Sequence, residues 1–307
     1  MAAEQAGDVR IDVASLPDNA AAEMDFRDTS FFQSGDPSLQ LPSPASILQQ
    51  HPGKTTGNVR FEHLNLLVKM GYWYHVRFEE VQTLRAMRQV FANNEVPVPE
   101  VCGWRKHGNM CSIYMSLIPG QTLDQAWPTL TNEDKGLICA DLSRIVGQLR
   151  RLVQGPSGNC FVGSINGGTL LDRFFRFDYE EGPFPTVKSF NDWFFAAATR
   201  QRPGPGKAID PGPYRHLLPD TGNIYFAHGD LTLTNIMISD GPAPRRISAI
   251  LDWEQSGWFP EYWEYCKLLY AVDYEHGWRV DGWADKVMKP FPDEWELFAE
   301  WSLWRCP

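Results

Sequence analysis

The stretch His228-Gly229-Asp230-Leu231-Thr232-Leu233-Thr234-Asn235 decides how the chain is interpreted. It follows Ile224–Ala227, a β-branched and aromatic run that is typical of a buried strand. The apolar residues that follow Asn235 predict a second strand, which leaves the loop at residues 235–238. The pattern therefore predicts a carboxylate, Asp230, inside a loop and an amide, Asn235, at the start of the next strand.

A predicted hairpin carries a second acidic residue back to this loop. Asp240-Gly241 is a turn signal, and residues 247–251 form the predicted partner strand. Asp252 follows that strand directly, so the hairpin brings it back beside Asn235. The sequence thus predicts two carboxylates and one amide in the same place.

These three side chains are the groups that phosphoryl transfer requires. An attacking hydroxyl needs an acceptor for its proton, and Asp230 is the candidate base. Asn235 and Asp252 offer hard oxygen ligands of the kind that Mg²⁺ prefers. The pattern His-x-Asp with a later Asn is that of the catalytic loop in kinase-like folds. The structural alternative is a polar turn with a solvated aspartate. His228 is interpreted as a hydrogen-bonded scaffold residue, because Asp230 already serves as the base.

At these residues the chain resembles the aminoglycoside phosphotransferase family of the protein-kinase-like superfamily. The similarity lies in His228-Gly229-Asp230, in Asn235 and in Leu251-Asp252-Trp253-Glu254, and residues 252–264 look like fungal members. Gly229 and Trp253-Glu254 favour the small-molecule kinases over the protein kinases. The resemblance extends from about Pro42 to the C-terminus and implies ATP, Mg²⁺ and a small-molecule acceptor. It does not identify that acceptor, because the family phosphorylates varied small molecules.

The N-terminal half contains a candidate nucleotide-binding lysine. Lys69 ends an apolar run, where a lysine either reaches back to solvent or is aimed at an anion. Residues 79–91 predict a helix, with Val81, Leu84, Met87 and Phe91 on one face. The resemblance implies that Lys69 binds the nucleotide and pairs with Glu80, while Glu79 remains possible. Either glutamate would also suit the helix dipole without any functional role.

Two further segments bear on nucleotide binding. Residues 115–120 resemble the family's hinge between lobes, where the backbone of Ser116 to Ile118 would meet the adenine edge. A strand that ends at the Pro119-Gly120 turn is the structural alternative. Gly53-Lys54-Thr55 mimics the end of a P-loop, but the first glycine of that motif is replaced by Leu48. We therefore do not interpret it as a P-loop, although this turn could still cover a nucleotide.

Composition limits the partners that we expect. A formal net charge of −10 argues against a broad nucleic-acid footprint. The 6 cysteines form no C-x-x-C pair, which favours reduced thiols in a cytoplasmic protein. No signal peptide or transmembrane segment is expected, so no membrane contact is predicted.

The C-terminal part is rich in aromatic residues. Trp295, Phe298, Trp301 and Trp304 recur at three-residue steps, which is more typical of a buried core than of an aromatic wall beside an acceptor. Glu261 and Glu264 lie about one helical turn apart, and the sequence does not decide whether they face the site or solvent.

The expected fold is α+β and two-lobed, like that of the protein kinases. Residues 1–41 are expected to form a partly mobile arm, 42–117 a small antiparallel N-lobe that binds nucleotide, and 118–307 a mainly helical C-lobe. The expected activity is ATP-dependent phosphorylation of a hydroxyl of a small molecule, with GTP as an alternative donor. The alternatives are a non-catalytic nucleotide-binding protein, a protein kinase, and an enzyme that activates a carboxylate by phosphorylation.

Overall fold

The computed structural model describes residues 8–18, 20–35, 38–53, 55–155, 160–172, 182–199, 214–241, 244–270 and 272–305. Lys54, the whole Pro/Gly-rich segment 201–212 and residues 156–159 of the Gly/Ser-rich segment 155–168 lie outside these residues. The side chains of Trp301 and Trp304 also lie outside the described part of the chain.

In chain order, the strands are β1 (Val9–Arg10), β2 (Glu23–Asp25), β3 (Gly57–Phe61), β4 (Leu66–Tyr72), β5 (Val101–His107), β6 (Met110–Ser116), β7 (Gln121–Thr122), β8 (Leu152–Val153), β9 (Gly163–Ser164), β10 (Ile224–Ala227), β11 (Ile236–Ile238), β12 (Ile247–Ile250) and β13 (Gly257–Pro260).

The α-helices are α1 (Pro44–Gln50), α2 (Phe78–Val90), α3 (Leu123–Ala126), α4 (Asn132–Leu149), α5 (Val187–Ala198), α6 (Trp263–Tyr270), α7 (Gly277–Val280) and α8 (Pro292–Arg305).

The N-lobe is built on an antiparallel sheet with the strand order β2-β5-β6-β4-β3. Helix α2 packs on one face of this sheet through Val81, Leu84 and Met87, which are 0%, 1% and 0% exposed. Alternation along β4 turns Lys69 toward this side, whereas Val68 and Met70 point to the opposite face. The predicted apolar face of the helix therefore becomes the inner core of the N-lobe.

The outer face of the sheet is covered by α1 and by the chain that precedes it. Ile47 of α1 and Phe31 are buried there in one apolar cluster with Val68 and Met70. Ser43 caps α1 by accepting the backbone N–H of Ser46, and a proline occupies the first turn of the helix. The sheet is thus buried on both faces.

The segment expected to be an arm contributes strands to both lobes. β2 pairs with β5 at the edge of the N-lobe sheet, and β1 pairs in parallel with β8 in the C-lobe. Ile11 and Phe31 are buried at 4% and 7% exposure. The two short strands and the buried side chains of this segment are therefore packed against the body of the protein. Strands of two or three residues carry no recognisable periodicity, which is why the sequence did not predict them.

Besides the β1–β8 pair, the mainly helical C-lobe carries two three-stranded sheets, with the strand orders β10-β13-β9 and β12-β11-β7. Its core is aromatic, with Trp253, Trp263 and Trp278 among the largest fully buried side chains. Phe298 is completely buried, which agrees with the prediction that the C-terminal aromatic residues belong to the core. Trp295 packs against the ring of Phe298. The two-lobed α+β architecture expected from the sequence is confirmed. None of the described helices is both long enough and apolar enough to cross a lipid bilayer.

Candidate active site

The loop between β10 and β11 has a glycine where only glycine fits. Gly229 adopts a φ of +75°, and a Cβ added there would lie 2.5 Å from the backbone oxygen of Gln255. Both the left-handed backbone and this close approach exclude a side chain. The loop is therefore pressed directly against the turn that follows Asp252.

His228 holds the loop in shape from a buried position. Its Nδ1 accepts the backbone N–H of Asp230 at 3.1 Å, and its Nε2 contacts the carbonyl oxygen of Leu251 at 2.9 Å. A carbonyl can only accept, so the ring is neutral with its hydrogen on Nε2. Burial lowers the pKa of His228 against the opposing attraction of Asp230, which agrees with the neutral form. His228 thus links the catalytic loop to the strand that leads into Asp252.

Asp230 and Asn235 lie together in the same loop. The Nδ2 of Asn235 donates to the backbone oxygen of Asp230 at 2.9 Å and to its Oδ2 at 3.2 Å. Because the amide nitrogen faces Asp230, the amide oxygen is the atom of Asn235 that is available to a cation. Asp230 is 3% exposed, and its carboxylate orientation is fixed by this contact.

Asp252 is placed by an unusual backbone conformation. It has a φ of 62° and a ψ of 65°, in the left-handed region, between β12 and the 3-10 turn Trp253–Gln255. Non-glycine residues in this region are uncommon and often belong to functional sites. The backbone N–H of Leu251 donates to the carbonyl of Asn235 at 2.8 Å, so the predicted hairpin brings the two segments together.

One ammonium group joins the two lobes. The Nζ of Lys69 lies 2.7 Å from Glu80 Oε2, 2.5 Å from Asp252 Oδ1 and 3.0 Å from Glu254 Oε2. Of the two glutamates in the first turn of α2, Glu80 is the one that reaches Lys69. Glu254 was not among the residues predicted from the sequence, although its position two residues after Asp252 was a usable signal.

The charges in this cluster do not balance. Burial opposes the charge of Lys69, but Glu80, Asp252 and Glu254 together raise its pKa well above the usual value. Burial raises the pKa of Glu80 to about 7, with the attraction of Lys69 opposing this shift. Three carboxylates share one ammonium, so the fully ionised cluster has an excess of two negative charges.

This donor set fits a divalent cation. Oxygen atoms of Glu80, Asp252 and Glu254 lie within 4.8 Å of one another. All are hard oxygen donors, as is the amide oxygen of Asn235, and hard donors suit Mg²⁺. One divalent ion would neutralise the two excess negative charges of the fully ionised cluster.

The comparisons with known proteins place the chain in a family. A model described as "Phosphotransferase enzyme family" matches residues 74–295, which is more than half of the chain. The chain belongs to this family. The comparison with curated proteins gave no match.

Several solved structures are similar to this member of the phosphotransferase family. Aminoglycoside-3'-phosphotransferase of type VIII is 13% identical, with a TM-score of 0.49 and coverage of 78% of this chain and 84% of that chain. APH(3'')-Id from Streptomyces rimosus, in complex with ADP and streptomycin, is 15% identical, with a TM-score of 0.48 and coverage of 85% and 97%. The gentamicin complex of APH(2'')-IIa is 13% identical, with a TM-score of 0.49 and coverage of 86% and 87%.

The segment that the sequence predicts as a hinge has one backbone N–H without a hydrogen-bond acceptor among the described residues. The N–H of Ser116 donates to the carbonyl of Glu100 at 2.8 Å, and the N–H of Leu117 donates to the carbonyl of Asn65 at 2.8 Å. Among the described residues, the backbone of Ile118 takes part in no hydrogen bond. If this segment meets a nucleotide as predicted, Ile118 is the residue whose backbone N–H can donate.

Glu264 binds the backbone of the loop 228–235, a placement that the sequence left open. Its Oε2 accepts the backbone N–H groups of His228 at 2.6 Å and Gly229 at 3.2 Å. Burial raises the pKa of Glu264 to about 7, although these two N–H groups favour the charged form. Glu261 turns away and approaches Asn223 instead. Only Glu264 therefore belongs to the site.

Proposed function

We propose that this protein is a small-molecule kinase that transfers a phosphoryl group from ATP to a hydroxyl of its acceptor. The observation that carries this proposal is the contact of Lys69 with Glu80, Asp252 and Glu254 across the two lobes. A largely buried lysine held by a helix glutamate, facing carboxylates that suit Mg²⁺, is the arrangement that nucleotide-dependent phosphoryl transfer needs. Membership of the phosphotransferase family supports the same reaction class.

Each residue has a role that follows from its position. Lys69, oriented by Glu80, binds the negatively charged phosphates, while the backbone of Ser116 to Ile118 meets the adenine edge. Asn235 and Asp252 hold Mg²⁺, and we add Glu254 to this set. The metal supplies neutralisation of the charge that spreads over the phosphoryl oxygens.

Asp230 is the proposed base. It accepts the proton of the acceptor hydroxyl, which becomes the attacking oxygen. The Asn235 amide fixes the Asp230 carboxylate, and His228 fixes its backbone, so the base is held in one orientation. Preorganisation of this kind lowers the entropic part of the barrier.

Nucleotide binding is the first test. Millimolar ATP with Mg²⁺ is expected to raise the melting temperature, because a ligand of the folded state stabilises it by mass action. GTP is compared in parallel. The Asp252→Ala variant is expected to lose the Mg²⁺-dependent part of this shift. Asp240→Ala is the matched control, since Asp240 is an exposed residue in the turn of the same hairpin. No shift in the parent protein would contradict the proposal.

Transfer is the second test. The protein is incubated with ATP, Mg²⁺ and a panel of small molecules that carry either hydroxyl or carboxylate groups, and release of ADP is measured. Acceptor-dependent release with hydroxyl compounds supports the proposal. Release with carboxylates alone would favour carboxylate activation. Nucleotide binding without release for any acceptor would favour a non-catalytic binding protein.

A further inference from the structure

We propose that Lys267 and Asp172 are positioning residues, which hold the turn that carries Asp252 in register with the catalytic loop. This rests on the proposed function, because it concerns the geometry of the same site. The Nζ of Lys267 lies 3.0 Å from Asp172 Oδ2 and 3.2 Å from Gln255 Oε1. Gln255 is the last residue of the 3-10 turn that Asp252 precedes.

A single turn of α6 holds both halves of the site. Glu264 and Lys267 are three residues apart on this helix, so their side chains lie on neighbouring positions of one face. Glu264 accepts the backbone N–H groups of the catalytic loop, while Lys267 donates to Gln255 in the metal-binding turn. The fixed distance between Glu264 and Lys267 on one helix therefore sets the distance between the catalytic loop and the turn that follows Asp252.

The catalytic loop and the turn that follows Asp252 also contact each other directly at Gln255, the residue to which Lys267 donates. The backbone oxygen of Gln255 occupies the space beside Gly229 that a Cβ would need. The next residue, Ser256, pairs its Oγ with Thr83 Oγ1 of α2 at 2.9 Å. A displaced Gln255 would thus disturb the catalytic loop, the Asp252 turn and the helix that carries Glu80.

Neither Lys267 nor Asp172 can act on substrate directly. Their side chains are 1% and 0% exposed, so no ligand reaches them. A buried ion pair is also poor evidence for a role in stability, because apolar replacements of similar volume are often neutral or stabilising. What an apolar pair cannot reproduce is the directed hydrogen bond from the ammonium to Gln255. Asp172 supplies the countercharge that makes this buried ammonium tolerable.

The test removes the ion pair without leaving a buried charge. ADP binding is titrated with Mg²⁺ in the Asp172→Leu/Lys267→Met double variant and in the parent protein. We expect the Mg²⁺ concentration for half-maximal binding to rise about tenfold or more, the usual effect of losing a partner that orients metal ligands. Saturating Mg²⁺ is expected to restore most of the lost ADP affinity, because a bound metal favours the ordered position of the Asp252 turn by mass action.

A second variant covers the case in which the double variant does not fold. Gln255→Met removes the acceptor from Lys267 but leaves the ion pair with Asp172 in place, and the same rise in Mg²⁺ requirement is expected. Arg215→Met is the matched control. Arg215 is a buried cation, 5% exposed, that lies 2.8 Å from both Asp192 and Asp220. Its loss is expected to lower the melting temperature without changing the Mg²⁺ requirement.

The outcomes separate this proposal from the proposed function. If the parent protein binds ADP with Mg²⁺ and the folded variants need no more Mg²⁺ than the parent, the positioning role is wrong and the proposed function stands. If Arg215→Met shifts the Mg²⁺ requirement as much as the double variant does, the effect is general destabilisation and the positioning role is again wrong. A parent protein that binds no Mg²⁺–ADP would overturn the proposed function itself, and the positioning role with it.

Discussion

Lys69 and Asp252 are in contact across the lobes, with Nζ 2.5 Å from Oδ1, although one lies in a strand of the N-lobe sheet and the other at the end of a C-lobe hairpin. The same ammonium contacts Glu80 and Glu254, so a single lysine counters three carboxylates. This pairing draws the two lobes together and makes the cluster sensitive to any added cation.

The Lys69→Met variant tests the charge excess. Without the ammonium, repulsion among Glu80, Asp252 and Glu254 increases, so the variant should melt at a lower temperature than the parent at neutral pH. Mg²⁺ without nucleotide is expected to raise its melting temperature more than that of the parent. The measurement is thermal unfolding with and without Mg²⁺. Lys106→Met, at an exposed position, is the control. An equal Mg²⁺ effect in Lys69→Met and the parent would show that the carboxylates do not form a cation site.

Glu264 gives the protein a predicted pH dependence. Burial raises its pKa from 4.5 to about 7, so the folded state holds the proton more tightly than the unfolded chain. The resulting contribution to stability is complete below pH 4.5 and is lost as pH rises through about 7. At about 1.4 kcal/mol per pKa unit, the loss is at most about 3.5 kcal/mol. Glu80, whose pKa is also raised to about 7, acts in the same direction.

The Glu264→Gln variant checks this contribution. Glutamine can still accept the N–H groups of His228 and Gly229 but does not titrate. We expect a flatter decrease in the free energy of unfolding between about pH 5 and pH 8, measured by denaturant titration. Glu261→Gln should keep the slope of the parent. A slope unchanged in Glu264→Gln would mean that Glu264 is ionised throughout this range.

Gly229 is predicted to tolerate no side chain, both because its φ is positive and because a Cβ would collide with Gln255. A control variant at Gly108 separates these two causes. Gly229→Ala introduces a Cβ 2.5 Å from the backbone oxygen of Gln255 and also strains a φ of +75°. Gly108→Ala has a comparable φ of +58° but meets nothing within 4 Å. Strain alone costs about 1 kcal/mol, so Gly108→Ala should be mildly destabilised.

Gly229→Ala should lose more stability than Gly108→Ala and should also bind Mg²⁺–ADP more weakly, because the Asp252 turn must move. Thermal unfolding and ADP titration measure the two effects. Equal losses of stability in Gly229→Ala and Gly108→Ala would indicate that the protein relieves the contact with Gln255 without a loss of free energy.

The sequence predicted those parts of the site that depend on local patterns. The strands on either side of the Asp230 loop, and the apolar face of α2, follow from short-range alternation and periodicity that one segment displays by itself. Lys69 and Glu80 required the family resemblance, since spacing alone left snorkelling and the helix dipole as equal explanations.

The parts that the sequence did not predict are pairings between distant segments. Glu264 reaches the loop at His228, and Lys267 reaches Asp172, through contacts that no local pattern encodes. β1 and β2 depend on partners in different lobes and are too short to show alternation. These elements form because the tertiary structure buries them, so their local sequence carries little signal.

Asp230→Asn is the test of the proposed base. Asparagine keeps the size of the side chain, and its carbonyl oxygen can still accept the Asn235 amide, so the loop should retain its shape. Mg²⁺–ADP affinity is therefore expected to change little. Single-turnover transfer to the acceptor found in the panel should fall by about a hundredfold or more, the usual contribution of a positioned general base. Because the transition state of phosphoryl transfer is loose, much of this loss would reflect lost orientation of the hydroxyl rather than lost proton abstraction. The two contributions differ in pH dependence, since only proton abstraction requires an ionised carboxylate. A variant that transfers at the rate of the parent would show that Asp230 only shapes the loop, and catalysis would then depend on Lys69, Asn235 and Asp252.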